Sequence, residues 1–143
     1  MENSEEINEL LTALDNHENN TIINLTSSKI KQQKNDILQK LQLSRDKLKL
    51  FHKKLKEYRY CEDLDDIEFG GFIRWIPLKN PDNIKLTNGG IIINIKSYKN
   101  QPLILLKNNM NRFFQIKFDE CLVFQKLTNQ ENIILAILDY IDK

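Results

Sequence analysis

The sequence predicts an α+β protein: a long N-terminal helix or coiled-coil extension, then a small five-stranded SH3-like or OB-like β-barrel, then a C-terminal helix. Two observations carry this. All four glycines fall in two pairs, Gly70-Gly71 and Gly89-Gly90, and each pair opens a β-rich run. All three prolines, Pro77, Pro81 and Pro102, lie in the same stretch, and the 69 residues before it hold neither residue type. Glycine and proline mark turns and strand ends and are disfavoured inside helices, so their segregation divides the chain in two.

Residues 1–60 form the expected helical extension. Over 4–15, Ile7, Leu10, Leu11 and Leu14 recur at helical spacing and make one apolar stripe. Asn3 or Ser4 suits its N-cap, and Glu5, Glu6 and Glu9 suit the positive end of its dipole. After the polar break at 16–20, a long helix is predicted over about 21–60, rich in Lys, Gln and Leu. Leu41, Ser44, Leu48, Phe51, Leu55 and Tyr58 alternate spacings of three and four, and Ile23, Ile30 and Ile37 extend the pattern backwards. Forty helical residues would reach about 60 Å. A helix of that length needs a partner: the 4–15 segment folded back, a second copy, or another protein. Leu41, Leu48, Phe51, Leu55 and Tyr58 are the predicted protein-interaction residues. Thr26-Ser27-Ser28 is a place where the helix can break.

An acidic connector, 61–68, leads into the barrel-like domain at 69–126. Strands are predicted near 71–77, 90–97, 102–107, 112–118 and 121–126. Asn80-Pro81-Asp82-Asn83, Asn88-Gly89, Lys99-Asn100-Gln101, Asn108-Asn109 and Asp119-Glu120 supply the turns. Phe114, Ile116 and Phe118 alternate with Phe113, Gln115 and Lys117, the pattern of a half-buried strand. A C-terminal helix is predicted over 127–143. It opens on Thr128-Asn129-Gln130-Glu131, which has capping-box spacing, and carries an apolar face of Ile133, Ile134, Ile137, Leu138 and Ile141.

The net charge is only +1, but it is segregated. Residues 1–28 carry −6, residues 29–59 carry +8, residues 60–68 carry −5 and the remainder +4. The basic stretch 29–59 is the strongest electrostatic feature, and Lys47, Lys49, Lys53, Lys54 and Lys56 are its candidate nucleic-acid contacts. These lysines fall on several helix faces without a base-reading motif. A solvated helix, or one neutralised by its acidic flanks, accounts for the same charges.

Catalytic signals are weak. Neither glycine pair is followed by Lys-Ser/Thr, and each precedes a strand rather than a helix, which argues against a phosphate loop. Arg74-Trp75 is the candidate binding spot on the barrel surface, since the chain's only Trp can serve as a platform for a peptide or a base. His17 and His52 are the only histidines. Cys61 and Cys121 lie sixty positions apart and read as reduced thiols in an intracellular setting. No Cys/His spacing matches a zinc site, and Asp63, Asp65, Asp66 and Glu68 lack the glycine-containing spacing of a calcium loop. The sequence therefore predicts no catalytic residue, metal, cofactor or small-molecule substrate. The start has no basic-then-apolar pattern, so a non-secreted protein is expected. The apolar run Ile133–Leu138 is far short of the ~20 residues that span a bilayer.

Gly70-Gly71-Phe72-Ile73-Arg74-Trp75-Ile76, then Leu86 to Ile95 with Gly89-Gly90, then Cys121-Leu122-Val123-Phe124-Gln125-Lys126 give the run Phe69–Lys126 a likeness. It resembles small proteins of nucleocytoplasmic large DNA viruses with AT-rich genomes. The resemblance covers about 40% of the chain and brings no catalytic residues with it. It implies a minor structural component of a virion or a protein of the viral factory in the host cytoplasm. The functional expectation is a non-catalytic structural or interaction protein that oligomerises or docks through its helical region. The alternative is a nucleic-acid-binding module using the basic helix 29–59.

Overall fold

The computed structural model describes residues 26–141. The expected 4–15 helix, His17 and the start of the expected long helix lie outside the described residues. Among the described residues three α-helices are present, α1 (Ser27–Gln39), α2 (Arg45–Lys54) and α3 (Asn129–Ile141). The strands are β1 (Tyr58–Cys61), β2 (Phe72–Pro77), β3 (Gly90–Tyr98), β4 (Gln101–Lys107), β5 (Phe113–Lys117) and β6 (Cys121–Lys126). They form one antiparallel sheet in the order β1-β6-β2-β3-β4-β5.

The expected long helix does not exist among the described residues. Local capping explains why. Thr26 caps α1, its Oγ1 accepting from the Lys29 N–H at 3.2 Å. After Gln39 the chain turns, with Gln42 at a left-handed φ of 54°. Ser44 then caps α2, its Oγ accepting from the Lys47 N–H at 3.3 Å. A serine that fits a heptad position is here a helix start, because its hydroxyl replaces a missing backbone acceptor. The helix ends before Tyr58, which enters β1 instead.

That strand also overturns the five-stranded SH3-like or OB-like barrel. The sheet has six strands and is open: β1 pairs only with β6, and β5 only with β4. The five expected strands lie within one or two residues of their predicted positions. Turn chemistry fixes them. Lys99 and Asn100 both take positive φ, 50° and 64°, in the two-residue β3–β4 hairpin, the geometry that matches strand twist. Gly89 adopts φ +98°, and a Cβ there would overlap the Ile73 carbonyl and the Phe72 ring. The glycine pairs are thus structural punctuation.

Two compact units divide the described residues: 26–43 with 127–141, and Ser44–Lys126. In the first, Ile30, Ile134 and Leu135 form a small core, joined by Leu127 and Leu138. The Ser27 N–H donates to the Asp139 carboxylate at 2.9 Å. The Thr128 capping box forms: Thr128 N–H donates to Glu131 Oε1 at 2.9 Å, and Glu131 N–H donates to Thr128 Oγ1 at 3.1 Å.

In the second unit, one sheet face holds the main core: Cys61, Ile73, Trp75, Val123, Ile92, Ile104 and Leu106, with Ile67. Gln125 lies on this side, buried, and behaves as a strand partner for Glu68. Its Oε1 accepts from the Glu68 N–H at 2.9 Å and its Nε2 donates to the Glu68 carbonyl at 3.2 Å. The connector's acids serve the backbone as well, since the Asp63 N–H donates to the Asp66 carboxylate at 3.0 Å.

Candidate binding surface

The opposite sheet face has two different halves. On β1, β6 and β2 it is buried: Phe124 and Ile76 are fully enclosed, and Leu122 and Tyr58 nearly so. Strand register puts Tyr60 beside Phe124 and Phe124 beside Arg74. The Tyr60 and Phe124 rings lie 5.5 Å apart.

On β3 and β5 the same face is open, while on β4 between them Leu103 is buried and Leu105 and Lys107 are half-buried. One row runs Phe72–Ile91–Lys107–Phe113 across four strands. Ile91 is 48% exposed and Phe113 62%. Further along stand Asn94, Leu105 and Gln115, then Lys96, Leu103 and Lys117. The β3 bulge between Ile92 and Asn94 adds Ile93 to the exposed apolar residues. No carboxylate occurs on this meander face. The reason is visible in the chain, since residues 83–118 hold six Lys/Arg and no Asp or Glu.

At the end of the meander is a cleft of about 400 Å³, lined by Phe72, Trp75, Thr87–Gly89, Asn108–Met110 and Phe114. Thr87 fixes one wall. Its N–H donates to the Trp75 carbonyl at 3.0 Å, its Oγ1 accepts from the Trp75 N–H at 3.1 Å, and its carbonyl accepts from Arg74 Nε at 2.8 Å. Asn108 fixes the other. Its Oδ1 accepts from the N–H groups of Met110 and Arg112, both at 2.9 Å. Phe72 stands both in the open row and in the cleft.

The sequence-predicted residues are distributed unevenly over this geometry. Trp75 does reach a cleft wall, although it is 93% buried and belongs to the core. Arg74 is on the opposite face and holds the Thr87 loop. Phe51, Leu55 and Tyr58 are buried within the chain, so they offer no seam to a partner; Leu41 and Leu48 are half-buried. Lys34, seven residues before Leu41 in the same repeat, is also buried, and burial lowers its pKa. Lys47 packs over the Phe51 ring at 5.9 Å, while Lys49, Lys53, Lys54 and Lys56 are exposed. Breaking the long helix leaves this basic group on one short helix and the residues just after it. Missing from the sequence reading were the cleft and the acid-free meander. The gap in carboxylates from 83 to 118 was the available signal.

Cys121 opens β6 beside Glu120, and its thiol is not an activated nucleophile. Burial, reinforced by the Glu120 charge and opposed by Lys79, pushes its pKa up to about 11. The thiolate is the reactive form. Iodoacetamide labelling of Cys121, followed by mass spectrometry, is therefore expected to keep accelerating about tenfold per pH unit from pH 8 to 10. A plateau near pH 9 would contradict the burial argument.

No group of three or more His, Cys, Asp or Glu residues is placed to hold a metal among the described residues. Among the same residues no helix is long and apolar enough to cross a membrane. No family model matches the chain, and no curated protein or solved structure matches it either. The likeness of Phe69–Lys126 to viral proteins rests on its short motifs alone.

Proposed function

We propose that this protein is a non-catalytic binding module whose recognition surface is the β3–β5 meander with its end cleft. One observation carries the reading. A single sheet face is buried on β1, β6 and β2 yet leaves Ile91, Ile93 and Phe113 in solvent on β3 and β5. Exposed apolar side chains gathered on one sheet face mark an interaction site. The cleft lining supports a binding role over a catalytic one, because it contains aromatic, amide, glycine, threonine and methionine residues and no acid, base or thiol. The interaction role read from the sequence is kept, but its surface moves from the helices to the sheet.

An anionic aromatic dye tests this. 1-Anilinonaphthalene-8-sulfonate is expected to bind the full chain with energy transfer from Trp75, which lines the cleft. The double variant Ile91→Asp, Phe113→Asp is expected to weaken dye binding about tenfold or more while leaving the far-ultraviolet circular dichroism unchanged. Undiminished dye binding by the folded variant would reject the meander as the surface.

A further inference from the structure

We infer that the ligand of this surface is single-stranded nucleic acid, its backbone held by the acid-free bases of the meander and one base taken into the end cleft. The inference rests on the meander being the recognition surface. Three independent observations carry it.

The first is charge complementarity. Residues 83–118 hold six Lys/Arg and no acid. Lys117 is engaged, 3.9 Å from the Glu120 carboxylate. Lys99 sits over the Tyr98 ring at 5.3 Å. Lys96, Lys107 and Arg112 have no carboxylate partner among the described residues. A protein-docking core is depleted in charge, and lysine above all. Here Lys107 stands in the middle of the apolar row, between Ile91 and Phe113. A phosphodiester backbone satisfies such a lysine, whereas an apolar protein surface would leave it unpaired.

The second is the supply of ring faces. On the open face Phe113 is 62% exposed and Tyr98 61%; Phe114, on the other face of β5, is 42% exposed where it lines the cleft. Exposed rings beside free cations are what unstacked bases use, each stack contributing about 1–3 kcal/mol. Bases inside a duplex cannot offer their faces, so the surface selects single strands.

The third is the cleft. Its volume of about 400 Å³ is enough for one base, and Phe72 and Phe114 are among its lining residues. Asn88 and Asn109 line it with side-chain amides that make no hydrogen bond within the described residues. Asn108 has its carbonyl occupied but retains its NH2 donors. Side-chain amides pair with base edges because they offer a donor and an acceptor side by side. Lys107 and Arg112 flank the Asn108–Asn111 turn that forms this wall, so phosphate contacts and the base pocket adjoin.

Fluorescence anisotropy on the full chain tests the inference, with labelled dT15, rU15 and a 15-base-pair duplex at 50 and 200 mM NaCl. Binding to a single strand and at least tenfold weaker binding to the duplex are expected; the two single-strand arms report whether DNA or RNA is preferred. Three phosphate contacts imply about a 20-fold loss of affinity between the two salt concentrations. Phe113→Ala is expected to weaken binding at least fivefold with the salt dependence unchanged. Lys107→Gln is expected to flatten the salt dependence. Asn109→Ala is expected to weaken binding and to reduce the change in Trp75 emission. Lys53→Gln with Lys54→Gln, on α2 and outside the surface, is expected to change little. Loss of binding in that helix variant with none in Phe113→Ala would overturn the inference in favour of the helix. So would equal binding of duplex and single strand, or no strand binding at 50 mM NaCl. If the dye still binds at Ile91 and Phe113 but no strand does, the surface stands and the ligand class falls; if neither binds, both fall.

Discussion

Phe124→Ala is expected to lower the free energy of unfolding by about 3–5 kcal/mol, measured by urea denaturation. Phe124 is completely buried on β6 at the middle of the covered half of the sheet. It is flanked in register by Tyr60 and Arg74, with the Tyr60 ring 5.5 Å away. Two neighbouring strands hold these partners in place, so the cavity left by the ring has little freedom to collapse. Phe113→Ala provides the internal comparison. Its ring is 62% exposed on an edge strand, so its removal is expected to change stability by no more than about 0.5 kcal/mol. The two phenylalanines differ in burial rather than chemistry. One is expected to affect folding and the other binding. A large stability loss in Phe113→Ala would mean that the meander face is covered, and the binding proposal would then lose its surface.

Leu55→Ala is expected to cost about 2–5 kcal/mol of stability, independent of protein concentration. Leu55 is fully buried and sits where the chain passes from helix to strand. Its N–H donates to the Phe51 carbonyl at 2.9 Å, and its own carbonyl accepts from the Tyr58 N–H at 3.0 Å. Thermal melts at several protein concentrations decide between two roles. A residue of an intermolecular seam would make the melting temperature rise with concentration and would remove that rise when truncated. A residue of the chain's own core lowers the melting temperature equally at every concentration.

The sequence made the sheet region legible and the helical region deceptive, for physical reasons. Strands from Phe72 to Lys126 are separated by residues that few conformations tolerate in regular structure, such as Gly89 and Asn100, so each boundary has a local cause. The Thr128–Glu131 capping box is equally local. Between Ser44 and Cys61 nothing breaks the run, and spacings of three and four arise readily in a Leu/Lys-rich stretch. Ser44 fits both a seam and a cap. The choice between them depends on burying Phe51 and Leu55, which is a tertiary fact. Tyr58 to Cys61 becomes a strand because β6 offers it an edge more than sixty residues later, and no local pattern announces that. The cleft was hidden for the same reason. Its walls come from Phe72, a loop at 87–89 and a turn at 108–110, which only the register brings together.

The position of β6 between β1 and β2 sets an order of assembly. The β3–β4–β5 meander closes through short hairpins, whose loops cost little entropy, so it can form from its own sequence as it is synthesised. β1 has no partner until the last strand of the sheet has been made, and β2 lacks its longer ladder until then. A chain stopped before residue 126 would present two bare strand edges while the basic meander was already complete. The half of the sheet that bears the open surface is therefore the half that matures first, and a single late strand joins it to the rest.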